Sequence, residues 1–134
     1  MMMRNILVSH IWDQIDRNLL CRDRLLLYFY GTAAILHVVL WGVFVANLHT
    51  LYQPDKEFIA LHYKVGIGPD FVGPWYYILA IPFLGLAVLA GNMIIGKHTY
   101  HHEKFSVYAL SSSAACIQGV LIWSLLLIIK ANLF

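Results

Sequence analysis

Three stretches of this chain carry no Asp, Glu, Lys or Arg: Leu25 to Pro54, Phe71 to Gly96 and Phe105 to Ile129. Each supplies the roughly 20 mainly apolar residues that an α-helix needs to cross a bilayer. Only 12% of the 134 residues are charged and 60% are hydrophobic, against about 25% and 45–50% in soluble domains. A core this small cannot hide so much apolar surface, which excludes a soluble globular domain, and the same composition excludes a disordered chain. Backbone in lipid must bond within closed elements, and no alternating strand pattern occurs in these windows. The chain therefore reads as an all-α integral membrane protein forming a single domain over 1–134, with spans at residues 26–48, 74–96 and 106–129.

Residues 4–23 precede the first span and follow a different rule. Leu7, Val8, Ile11, Trp12, Ile15 and Leu19 recur at three- and four-residue steps, with Asn5, Ser9, Asp13, Gln14, Asp16 and Arg17 between them. This is the pattern of an amphipathic helix lying at the headgroups or capping the bundle. Arg4, Arg17, Arg22, Arg24, Lys97 and Lys104 fall on one side of the three spans, and Lys56, Lys64 and Lys130 on the other. The excess puts the N-terminus and the loop 97–105 in the cytoplasm, with the loop 49–73 and the C-terminus outside the plasma membrane. Tyr28, Phe29 and Tyr30, then Trp75, Tyr76 and Tyr77, then Tyr100 and Tyr108, sit at span ends as interfacial aromatics do. The first span is too long, and starts too late, for a cleaved signal peptide.

In the loop 49–73, Ile59, Leu61, Tyr63 and Val65 alternate with Ala60, His62 and Lys64, which predicts a short extended segment. Gly66, Gly68, Pro69, Asp70, Gly73 and Pro74 are expected to break it, with Pro74 in the first turn of the second span. His62, Tyr63, Pro69, Asp70 and Gly73 fall at the offsets of a motif reading Ile-Pro-x-His-Phe-Asn-x-x-Gly-x-Pro-Asp-x-aromatic-Gly. The stretch resembles the first extracytoplasmic loop of a small membrane domain found in bacterial toxin-immunity (SdpI-like) proteins and in uncharacterised three-helix membrane proteins. It departs from the motif at Ala60, at Lys64, and in having glycines at 66 and 68. The resemblance implies an immunity or sensing role and supplies no active site.

Two groups of residues raise metal chemistry. His98, His101, His102 and Glu103 share the loop 97–105, and His-x-x-His-His resembles one box of membrane di-iron desaturases and hydroxylases. Those sites need about eight imidazoles, and this chain has 7 His in all. A single zinc with three imidazoles and Glu103 or water is the smaller alternative, opposed by the divergence of adjacent His101 and His102 and by the bland reading of a hydrated turn. His37, near the middle of the first span, would serve haem only with a second imidazole from another copy. A neutral His bonded inside the bundle is the simpler reading, and Gln118 is likewise expected to face a neighbouring helix.

Gly42 and Ala46, Ala87 and Gly91, and Ser111, Ala115 and Gly119 recur at four-residue steps, the spacing of close helix packing within one chain or between copies. Pro82 is expected to bend the second span. Cys21 and Cys116 lie at different depths and cannot pair. The expectation is a non-enzymatic accessory, sensing or immunity-type component acting through its outer loop, with no cofactor. Its partners would be the lipid bilayer and further copies or a larger membrane protein, and not nucleic acid. A metal or haem enzyme and a small oligomeric channel are the alternatives.

Overall fold

The computed structural model describes residues 23–52, 58–64 and 66–133. The expected amphipathic helix over 4–23, with Cys21, lies outside the described residues, Asp23 excepted. The protein is mostly helical: α1 (Arg24–Ala46), the single turn α2 (Leu48–Leu51), a hairpin of β1 (Ile59–Lys64) and β2 (Gly68–Gly73), a 3-10 segment (Trp75–Leu79), α3 (Ala80–Thr99) and α4 (Lys104–Asn132). Three helices, over Arg24–Ala46, Trp75–Thr99 and Lys104–Asn132, are long and apolar enough to cross a membrane.

Local chemistry sets the ends of these elements. Asp23 caps α1, its Oδ1 accepting from the Leu25 backbone N–H at 3.1 Å. Asn47 ends it by donating its side-chain amide to the Val43 carbonyl at 2.8 Å, in competition with the backbone. Pro82 falls in the first turn of α3, just after the 3-10 segment, rather than at a bend in the middle of a span. Its missing N–H is harmless there, since first-turn donors have no partner within the helix. The extended segment expected in the first loop is one strand of a hairpin whose second strand runs through the presumed breakers. A turn closed by the Ile67 N–H on the Lys64 carbonyl at 3.2 Å reverses the chain, and Gly66 supplies the positive φ of 87° within it.

The buried residues of α1 are Leu26, Tyr30, Ala33, His37, Leu40 and Phe44, an alternation of four- and three-residue steps. Val107, Ser111, Ala114, Gln118, Leu125 and Ile129 repeat it on α4, and Pro82, Gly85, Leu89 and Gly96 on α3. This is the heptad-like spacing of residues that line a seam between packed helices. α4 is the central member, packing on both α1 and α3 far more extensively than those two pack on each other. At about 1.5 Å per residue it is roughly 43 Å long, and its last turn reaches β1 and α2 beyond the end of α1.

Small residues work where helices cross most closely, though at only some of the positions the four-residue steps suggest. Gly42, Ala46, Ala87 and Gly119 are exposed on outer faces, and nothing lies within 4 Å of a Cβ built on Gly42, Gly91 or Gly119. Ser111 is buried and Ala115 packs against the core. The tight positions are Gly85, where a Cβ would stand 2.8 Å from Gln118 Oε1, and Gly96, where it would stand 2.7 Å from the Tyr30 hydroxyl. Gly85→Ala and Gly96→Ala are each expected to cost about 1–3 kcal/mol by overpacking, read as a lower thermal-unfolding midpoint in detergent. Gly42→Ala and Gly119→Ala are expected to leave that midpoint unchanged or raise it, given the better helix propensity of Ala.

Candidate functional site

The hairpin is the one ordered element that stands off the three-helix bundle among the described residues, and α4 holds it in place. Asn132, in the last turn of α4, accepts the Ala60 N–H on Oδ1 at 2.9 Å and donates Nδ2 to the Ala60 carbonyl at 2.8 Å. The same Nδ2 also donates to the Ile128 carbonyl at 2.8 Å, which orients the amide. Asn132 thereby takes the place of a third strand at the outer edge of β1. Ile59 is buried against the end of the bundle in a cluster with Leu51, Ile78 and Ile129.

Each residue that carries the loop resemblance has a place in this hairpin. His62 Nδ1 and Lys64 Nζ both meet the Asp70 carboxylate, Lys64 at 2.9 Å. Tyr63 pairs with Pro69 across the two strands, and Ile59 with Gly73. Gly73 allows close approach, since a Cβ there would stand 2.8 Å from Leu61 Cδ1 and 3.0 Å from Tyr77 Cδ2. Pro69 is tolerated because a two-stranded sheet is all edge. The five residues thus build and brace the hairpin. Ile67, Phe71 and Val72 are left exposed, Ile67 to 79% at the tip. Tyr52, Trp75, Tyr76 and Tyr77 make consecutive edge-to-face contacts next to the hairpin in sequence.

Inside the bundle, His37 and Gln118 do meet. Trp41 Nε1 donates to His37 Nε2 at 3.1 Å, His37 Nδ1 lies 3.2 Å from Gln118 Oε1, and Gln118 Nε2 donates to the Gly85 carbonyl at 2.7 Å. An indole N–H only donates, so His37 Nε2 is the unprotonated nitrogen and Nδ1–H is the donor to Gln118. Both ring nitrogens are engaged, leaving no lone pair for a haem iron in this arrangement. The serines of α4 turn back on their own helix: Ser111, Ser112 and Ser113 donate to the carbonyls of Tyr108, Ala109 and Leu110.

His98, His101, His102 and Glu103 are exposed around the turn between α3 and α4. No three His, Cys, Asp or Glu side chains among the described residues are grouped as metal ligands would be. His101 stacks edge-to-face on Tyr100, and Glu103 accepts from Ser106 Oγ at 3.0 Å at the start of α4.

Two ties escaped the sequence reading. Asp23 Oδ2 accepts from the Tyr108 hydroxyl at 2.6 Å and the Tyr100 hydroxyl at 3.1 Å, binding the start of α1 to both sides of the opposite turn. The Tyr108 hydroxyl first, opposed by burial, and then the Tyr100 hydroxyl and the first backbone N–H groups of α1, hold the Asp23 carboxyl below its usual range. Tyr30, expected at the interface, instead turns inward and donates to the Asn92 carbonyl at 2.9 Å, while Asn92 Nδ2 reaches the Leu110 carbonyl at 3.2 Å. Polar residues recurring seven apart, Tyr30 with His37 and Ser111 with Gln118, were the available signal. Comparison with protein families, curated proteins and solved structures found no match to the chain.

His62 first, and Lys64 second, hold the Asp70 carboxyl below its ordinary value of 3.8. A lowered folded value means that this brace is complete above that value and is lost as pH falls from it through the lowered one. The protection factors of the amides in β1 and β2, taken relative to the intrinsic exchange rate at each pH, are expected to fall across that acid window. In Asp70→Asn they are expected to be lower at neutral pH already, with no further acid step.

Proposed function

We propose that the chain is an integral membrane protein of three spans that presents its hairpin as a recognition element. In this reading it is a non-enzymatic accessory, sensing or immunity-type component. The N-terminus and the turn between α3 and α4 face the cytoplasm and the hairpin faces outward, as the excess of Lys and Arg on the first side favours. The observation that carries the reading is an ordered hairpin clamped by Asn132 with Ile67, Phe71 and Val72 exposed on it. A segment whose only task is to join two spans gains nothing from such ordering, and apolar side chains held outward on a fixed frame are what a partner can bury. The resemblance of His62, Tyr63, Pro69, Asp70 and Gly73 to the immunity-protein loop supports the same assignment.

The test is site-specific photocrosslinking in the native membrane, with the reactive residue at Ile67 or Phe71 and, as a control, at Val38 on the outer face of α1. A discrete protein adduct from the hairpin positions, absent from Val38 and reduced several-fold by Asn132→Ala, is expected. Adducts to lipid alone from the hairpin, or a protein adduct indifferent to Asn132, would overturn the assignment.

A further inference from the structure

Asn132 closes one edge of the hairpin and leaves the other open. It takes both main-chain groups of Ala60, accepting the N–H at 2.9 Å and donating to the carbonyl at 2.8 Å. A strand residue sends its N–H and C=O to the same side, so Ala60 turns both away from β2. Val72 is the residue opposite Ala60. The two therefore form the kind of antiparallel pair that exchanges no hydrogen bonds, in which each residue points its backbone groups outward, while the neighbouring pair of Ile59 and Gly73 is the bonded one. The N–H and carbonyl of Val72 project from the far edge of β2, and neither has a partner among the described residues. The register becomes irregular only past Ala60, toward the tip.

Proteins blunt an open edge with charge, proline or irregular backbone. Pro69 and the irregular register guard the tip half of β2 in this way. From Phe71 to Gly73 there is no such guard, and Phe71 and Val72, both more than half exposed, flank the open groups. We infer that this edge takes up an extended segment of another protein, which adds as a third strand beside β2 and bonds through its own backbone to the N–H and carbonyl of Val72. The inference rests on the hairpin reading above and gives that reading a mode of binding. Charge complementarity sets the side chains of the segment. Asp70, the one charged residue of β2, is already paired with Lys64 and His62, so the edge suits an uncharged, apolar stretch. A second copy of this chain fits less well. Two β2 edges paired through Val72 would set Asp70 of each copy against the partner's Pro74, which has no N–H to offer.

The photoreactive residue at Ile67 reads this out in the native membrane, in the otherwise unaltered full chain and in three forms altered at position 72. Val72→Thr keeps the backbone groups and the branched shape. Val72→Pro removes the N–H, and an ester in place of the Phe71–Val72 amide, introduced as the α-hydroxy acid of valine, removes the same donor without a ring. That N–H takes no part in the ladder with β1, so the Ile59 and Gly73 amides are expected to stay protected from exchange in all three. A discrete adduct with another protein is expected to survive Val72→Thr and to fall by about ten-fold or more in Val72→Pro and in the ester, because a backbone acceptor of the bound segment is left orphaned. Should Val72→Pro lose the protection at Ile59 and Gly73, the ester alone decides. An adduct that persists without the N–H, the hairpin being intact, would overturn edge pairing and leave recognition by the hairpin standing. An equal loss in Val72→Thr would assign the binding to the side chain and overturn it as well. So would an adduct made only of two copies of this chain. Absence of any protein adduct from the otherwise unaltered chain is the failure of the hairpin reading itself, and edge pairing falls with it.

Discussion

The bundle depends on every internal polar group finding its partner on another part of the same bundle. Its outer faces are apolar, with Ile35, Val38, Ile94, Val120 and Trp123 all exposed, so the surroundings that suit those faces cannot hydrogen-bond a stray amide or imidazole. The structure answers with one tie per level. Asp23 takes the hydroxyls of Tyr100 and Tyr108 at one end, Tyr30 and Asn92 join all three helices at the next level, and His37 and Gln118 join them again beyond it. Asn132 closes the series on the hairpin. Interhelical bonds of this kind are individually modest, about 0.6 kcal/mol on average in membranes. Their larger effect is on register: sliding α1 against α4 would break the Asp23–Tyr108 and His37–Gln118 ties together.

The three long apolar helices were legible because charge exclusion is a coarse signal that survives errors of several residues. The packing faces were not. Residues that face outward, such as Val38 and Val120, are as apolar as Leu40 and Leu125 inside, so hydropathy shows no helical period to follow. Small residues at four-residue steps pointed to Gly42, Ala46, Ala87 and Gly119, which face outward. Gly85 and Gly96, eleven apart, are the ones in the seam, because a heptad pattern returns to the same face after seven plus four. His37 and Gln118 were correctly expected to lie inside, since buried polarity is scarce enough in such a chain to be informative one residue at a time.

The hairpin was half legible for a related reason. β1 alternates in the ordinary way, whereas β2, Gly-Pro-Asp-Phe-Val-Gly, is composed largely of residues that punctuate chains. What makes it a strand is its partner: Asp70 is held across the sheet by His62 and Lys64, and Gly73 is needed small beneath Leu61 and Tyr77. Such requirements are set by contacts that form only once the chain has turned back on itself, and no residue shows them alone. Asn132, more distant still in sequence, looked like an ordinary polar residue at a helix end.

The central place of α4 has a consequence for biosynthesis. The helix that contacts α1 and α3 most is the last of the three to leave the ribosome. Until it arrives, His37 lacks Gln118, Asn92 lacks the Leu110 carbonyl, and the edge of β1 lacks its clamp. The two earlier helices share the sparsest of the three helix contacts, so the bundle is complete only once the last helix packs against both of them.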